Sequence, residues 1–110
     1  MNKTTEYNYE IKQEKSFKKE LRNIYEYISE ELKERKTAIK LLKNIDNKIK
    51  ILELFPFAYK LYKKEENVEY RKFIIKDYII IYKINLKEKK IKILHIYNQK
   101  FNYHKKSILL

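Results

Sequence analysis

Neither glycine nor cysteine occurs among these 110 residues, and tryptophan is missing too. Without cysteine there can be no disulfide, no thiolate metal site and no thiol nucleophile. Without glycine the phosphate-cradling loops of nucleotide-binding folds are excluded, because their backbone amides converge only where residues reach φ > 0 without a Cβ clash. No cofactor and no bound metal are therefore expected. Proline is almost as scarce, with Pro56 the single example. Long apolar runs are lacking as well: the longest, residues 78–82, is far too short to cross a membrane, and the first fifteen residues alternate charges where a signal peptide would be apolar. A cytoplasmic location with no membrane segment is expected.

What is abundant is positive charge. Lys and Arg number 27 against 15 Asp and Glu, a formal net charge of +12. The excess is unevenly placed: residues 1–55 hold 13 basic and 10 acidic residues, residues 56–110 hold 14 and 5. After Glu88 no acidic residue follows, while Lys89, Lys90, Lys92, Lys100, Lys105 and Lys106 do. Such a stretch attracts polyanions or an acidic protein. Hydrophobic residues still make up 44% of the chain, enough to bury one core beneath a charged surface, so residues 1–110 are expected to form a single domain.

Apolar spacing assigns the elements. Tyr7, Tyr9 and Ile11 alternate with polar residues, the period-2 mark of a strand with one wet face. From Phe17 the spacing changes to Phe17, Leu21, Ile24, Tyr25, Ile28 and Leu32, one side of a helix with Ser16 as its expected N-cap. A second stripe, Ala38, Leu42, Ile45, Ile49 and Leu52, predicts another helix capped by Thr37 and ended by Pro56, which lacks an N–H. With so short a link the two should fold back as an antiparallel hairpin. Residues 57–69 read as a surface loop. Residues 71–75, 78–84 and 91–97 read as three strands of an antiparallel meander, with Asp77 and Asn85 standing in for glycine at the turns. The expected fold is α+β: an N-terminal strand, a helical hairpin on one sheet face, then the meander, with function on the opposite face.

The order of these elements, together with residues 21–32 (LRNIYEYISEEL), 49–56 (IKILELFP), 70–82 (YRKFIIKDYIIIY) and 91–103 (IKILHIYNQKFNY), resembles the RelE/ParE superfamily of type II toxin-antitoxin toxins over nearly the whole chain. The resemblance implies a growth-inhibiting toxin masked by a cognate antitoxin. It implies one of two mechanisms: ParE-like binding of DNA gyrase without chemistry, or RelE-like, metal-independent cleavage of messenger RNA in the ribosome. An inactive relative that only binds antitoxin is a third reading. Arg71 matches the family's arginine at the start of the second strand. His95 stands where relatives often carry arginine, Lys100 and Phe101 replace a basic pair, and Asn102 replaces an acidic residue before Tyr103.

Cleavage by the RNA's own 2′-OH needs a proton acceptor, a cation for the extra negative charge and a proton donor for the leaving oxygen. Arg71 and Lys100 are candidates for the cation, and His95, Tyr103 and His104 for the proton transfers. The plainer alternatives are a packed His95, an anchoring Tyr103 and a solvated His104. Eleven tyrosines among many lysines suit base stacking, although most lie on apolar faces where core packing is the simpler role. Glu30, Glu31, Glu65 and Glu66 read as solvated carboxylates.

Overall fold

The computed structural model describes residues 3–100. Its elements in chain order are β1 (Lys3–Thr4), β2 (Glu10–Gln13), α1 (Lys15–Glu26), one turn of π-helix (Tyr27–Glu31), α2 (Arg35–Leu54), β3 (Lys60–Glu65), β4 (Val68–Ile75), β5 (Tyr78–Asn85) and β6 (Lys90–Asn98). The six strands form one sheet in the order β1-β2-β6-β5-β4-β3. After β2 the helices carry the chain across the sheet to the far edge, and four antiparallel strands return until β6 lies parallel to β2, Ile11 opposite Ile91.

The helices cover one face because their stripes match the odd and even positions of the strands. Phe17 and Ile28 from the first helical stretch and Ala38, Leu41, Ile45, Ile49 and Leu52 from α2 close over Phe73, Ile75, Ile80, Tyr82, Ile84, Ile91, Ile93 and Ile96. Most of these are essentially inaccessible, so the hydrophobic gain of about 25 cal/mol per Å² is fully realised there. The two helices follow one another through a short link: α1 starts beside β6, where the Ser16 hydroxyl donates to the Leu94 carbonyl at 2.7 Å, and α2 ends at Leu54, two residues before Pro56, whose carbonyl accepts from the Tyr82 hydroxyl at 3.3 Å.

Several local expectations are corrected. Residues 57–69 are not simply a loop: Lys60–Glu65 is an edge strand that extends the expected meander by one. It shows no period-2 pattern because both its sides are largely exposed. The strand expected from Tyr7 begins only at Glu10, as β2, and Tyr7 and Asn8 belong to the turn that joins it to β1. Ser16 and Thr37 do not cap: Ser16 lies inside α1, and Thr37 lies in the first turn of α2, its hydroxyl 3.1 Å from Glu34 Oε1. Asp77 and Asn85 do not take the left-handed turn positions either. Those fall to Asn8 (φ 65), Lys33 (φ 54), Glu66 (φ 50), Lys76 (φ 51) and Lys89 (φ 55), each carrying a Cβ that opposes this conformation. Asn85 instead accepts the Glu88 amide on its side chain at 2.8 Å.

Candidate functional site

Strand register fixes which side chains face away from the helices. Phe73 and Ile75 of β4 enter the core, so Tyr70, Lys72 and Ile74 lie on the open face. On β5 the same logic puts Ile79, Ile81 and Lys83 there, and Ile79 and Ile81 are buried yet outside the helix-side cluster. A register shift opposite Ile81 and Tyr82 leaves Leu94 as the extra residue of β6, so that His95 pairs with Ile81 and Tyr97 with Ile79, both on the open face, as does Lys92 with Lys83. The β3 bulge between Leu61 and Lys63 likewise turns Tyr62 and Lys63 towards Tyr70.

The open face is consequently an island of tyrosines among lysines. The rings of Tyr62 and Tyr70 are 6.3 Å apart, Lys72 Nζ sits 5.3 Å from the Tyr62 ring and Lys63 Nζ 5.6 Å from that of Tyr70. Burial, then Tyr97 and Tyr70 nearby, pushes the Tyr62 hydroxyl above its ordinary range, and burial does the same for Tyr97. Both remain neutral donors at physiological pH. Among the described residues, no carboxylate of β4, β5 or β6 shares this face, so the lysines dominate its potential.

Arg71 is elsewhere. It pairs with Tyr82, on the helix side of the sheet, and its side chain is 13% exposed. The guanidinium donates to Glu69 Oε1 from Nε at 3.0 Å and Nη2 at 2.8 Å, and from Nη1 to the carbonyls of Phe57 at 3.1 Å and Tyr59 at 2.6 Å. It also lies 5.4 Å from the Phe57 ring. Four of the five N–H donors of the planar fork are thus directed at the chain that follows Pro56. The neighbouring phenols stay protonated: burial pushes Tyr59 up to about 12, and burial raises Tyr82 further, with the Arg71 charge opposing only in part.

His95 sits at the rim of the open face. Its Nδ1 is 3.2 Å from both oxygens of Glu20, which also accepts the Ile96 amide at 3.1 Å. Among the described residues, β6 has no strand partner on that side beyond Ile93, and α1 supplies these side-chain substitutes. A carboxylate orienting an imidazole is half of an acid–base site. The cations sharing its face are lysines, because Arg71 faces the other way. Lys100 lies at the β4–β5 turn, its Nζ 3.5 Å from Asp77 in an exposed pair worth little energetically. Tyr103 and His104, with Phe101 and Asn102, lie outside the described residues. Of the three described candidates, Arg71 and His95 lie on opposite faces of the sheet.

Sequence inspection missed Glu69, although its i, i+2 spacing to Arg71 on one strand face was the available signal. It also assigned the tyrosines mainly to the core, whereas strand parity places Tyr62, Tyr70 and Tyr97 outside it. Among the described residues there is no group of His, Cys, Asp and Glu suited to a metal ion, and no helix long and apolar enough to cross a membrane.

Residues 11–103 match the family model described as the ParE toxin of the type II toxin-antitoxin system parDE. No curated protein matches significantly. Among solved structures, the chromosomal ParDE toxin-antitoxin system from P. aeruginosa aligns with a TM-score of 0.62 at 20% identity, over 80% of this chain and 92% of that one. The archaeal RelE-RelB complex from Pyrococcus horikoshii aligns with a TM-score of 0.55 at 22% identity, over 83% and 94%. Both likenesses concern the fold.

Proposed function

This chain belongs to the ParE toxin family of type II toxin-antitoxin systems, and from that premise we propose that it arrests growth by binding DNA gyrase through its basic open face, without bond-making chemistry. The observation that carries this choice is Arg71, the family cation expected to steady a scissile phosphate, which is occupied by Glu69 and two carbonyls on the opposite side of the sheet. Stabilising the charge of a phosphorane-like transition state requires free donors aimed at the reacting atoms. In this account the whole of residues 1–110 works as one domain in the cytoplasm, where its target is.

The partner is a cognate antitoxin, in keeping with the ParDE system and the RelE-RelB complex that share the fold. An acidic segment laid over the open face would neutralise the lysines there and mask the target-binding surface.

A second mechanism is favoured by one observation, the Glu20–His95 pair, which orients an imidazole as a general base would be oriented in a ribosome-dependent nuclease acting on messenger RNA. Pulse labelling after induction separates the two. Gyrase inhibition predicts that DNA synthesis falls and DNA damage signals rise while amino-acid incorporation is still normal. Translation stopping first, with messenger RNA cut, would establish the nuclease instead. A folded chain that binds antitoxin and leaves growth untouched would be the inactive relative.

A further inference from the structure

We infer that the open face is a stacking platform for single-stranded polynucleotide, with Tyr62, Tyr70 and Tyr97 as the ring surfaces and Lys63, Lys72 and Lys83 as the phosphate contacts. The inference goes beyond gyrase binding and does not depend on it, because the chain alone should show it. None of the three tyrosines belongs to the family pattern carried by Arg71, His95 and Tyr103.

A sheet face presents side chains at two-residue spacing on strands just under 5 Å apart, so rings on neighbouring strands stand at the separation of successive unstacked bases. Here Tyr62 on β3 and Tyr70 on β4 are 6.3 Å apart, and Tyr97 stands on the same face of β6, paired with Ile79 of the intervening β5. Ile79 and Ile81 of β5 lie on the same face between β4 and β6, 7% and 4% exposed. All three tyrosines are only half-buried.

Charge completes the fit. The ammonium groups of Lys63 and Lys72 sit over these rings at 5.6 and 5.3 Å, and on flexible stems they can swing aside to the phosphates as a base takes their place on the ring. Lys83 and Lys92 extend the positive strip across β5 and β6. The carboxylates nearest this strip stand at its margins: Glu65 with Lys63 at 3.7 Å, Glu14 with Lys92 at 3.6 Å, and Glu20 with His95. An acidic peptide would satisfy the lysines but has no flat π surface for the tyrosines. A duplex would satisfy the lysines but hides its bases. Only an unpaired strand uses both sets of groups.

The test is fluorescence anisotropy of the purified full chain with end-labelled oligo-dT and oligo-rU, a duplex of equal length, and poly-glutamate as competitor. Single strands of both sugars should bind at least tenfold more tightly than duplex. Affinity for oligo-dT should fall by about fifty-fold between about 50 and about 200 mM salt, as expected for roughly four neutralised phosphates. Tyr62→Leu and Tyr97→Leu should each weaken single-strand binding by about tenfold and leave duplex binding unchanged, while the Tyr→Phe versions, which keep the ring, should bind like the wild type. Photo-crosslinking of bromouridine-containing oligo-rU to the unaltered chain provides a readout that needs no variant to fold, and should map to β3, β4 and β6. Equal affinity for duplex and single strand, indifference to Tyr→Leu, crosslinks confined to the helices, or poly-glutamate competing as well as oligo-dT would each overturn the inference. The last outcome would mark the face as an acidic-protein surface alone. A preference for only one of the two sugars would also contradict stacking as the source of affinity.

Discussion

Replacing Arg71 by alanine should unfold this protein in part rather than disarm it. The Arg71–Glu69 pair has side chains only 13% and 11% exposed, and removing one member of such a pair leaves the other charge in a poorly solvated site at a cost of about 3–5 kcal/mol. Lys64 Nζ, 3.9 Å from the second Glu69 oxygen, offsets part of that, so the lower end, about 3 kcal/mol, is expected. For a domain of this size that corresponds to a fall in Tm of about 12 °C, from a total stability that is typically about 5–15 kcal/mol. The companion experiment removes both charges. In Glu69→Leu/Arg71→Met no carboxylate is stranded, and the remaining loss is the pairing of the Phe57 and Tyr59 carbonyls, about 2 kcal/mol for the two hydrogen bonds. Thermal denaturation by circular dichroism and growth inhibition on induction should be measured on both. The expected outcome is that Arg71→Ala is unstable and weakly toxic, while the double variant is folded and toxic. A double variant as stable as the wild type yet harmless would refute this reasoning, because Arg71 would then act on the target directly.

Three further outcomes follow from the same structure. Lys76→Gly and Glu66→Gly relieve a Cβ clash at positive φ, so each should raise stability by about 1 kcal/mol, seen as a Tm increase of about 4 °C; a decrease would show that the left-handed turn is not strained. The folded-state pKa values of Tyr59 and Tyr82 lie above the unfolded value, so their contribution is complete below about pH 10 and is lost as pH rises towards about 12, and Tyr82→Phe should make alkaline unfolding begin later and less steeply. Ile80→Ala, at a site with no solvent exposure between α2 and the sheet, should cost about 2–5 kcal/mol in urea unfolding, whereas Ile74→Ala on the open face, 50% exposed, should cost less than about 1 kcal/mol.

Most of the architecture was legible because its signals are local. The stripes of α1 and α2, the ending of α2 before Pro56 and the three runs of β4, β5 and β6 each follow from spacing alone. Edge strand β3 was hidden because Lys60–Glu65 buries neither side, and a strand without a buried face has no alternation to read. The parallel pairing of β2 with β6 joins residues about eighty apart and leaves no local trace. The site was legible only in outline. Basic groups do gather opposite the helices, but the roles of Arg71 and Tyr70 depend on strand parity and on Glu69, which composition does not weigh. The extra residue Leu94 shifts parity within β6, so the side on which His95 emerges is set by a bulge rather than by simple alternation.

In the proposed mechanism a basic, tyrosine-bearing sheet face engages gyrase without chemistry. The most direct measurement is supercoiling by purified gyrase in the presence of the chain, comparing the wild type with Lys63→Gln/Lys72→Gln/Lys83→Gln on the open face and with Lys36→Gln/Lys43→Gln on α2. Inhibition by the wild type and the α2 variant, with at least a tenfold loss for the open-face variant, is the predicted result. Unimpaired supercoiling with all three proteins, alongside cleavage of ribosome-bound messenger RNA by the wild type, would contradict it.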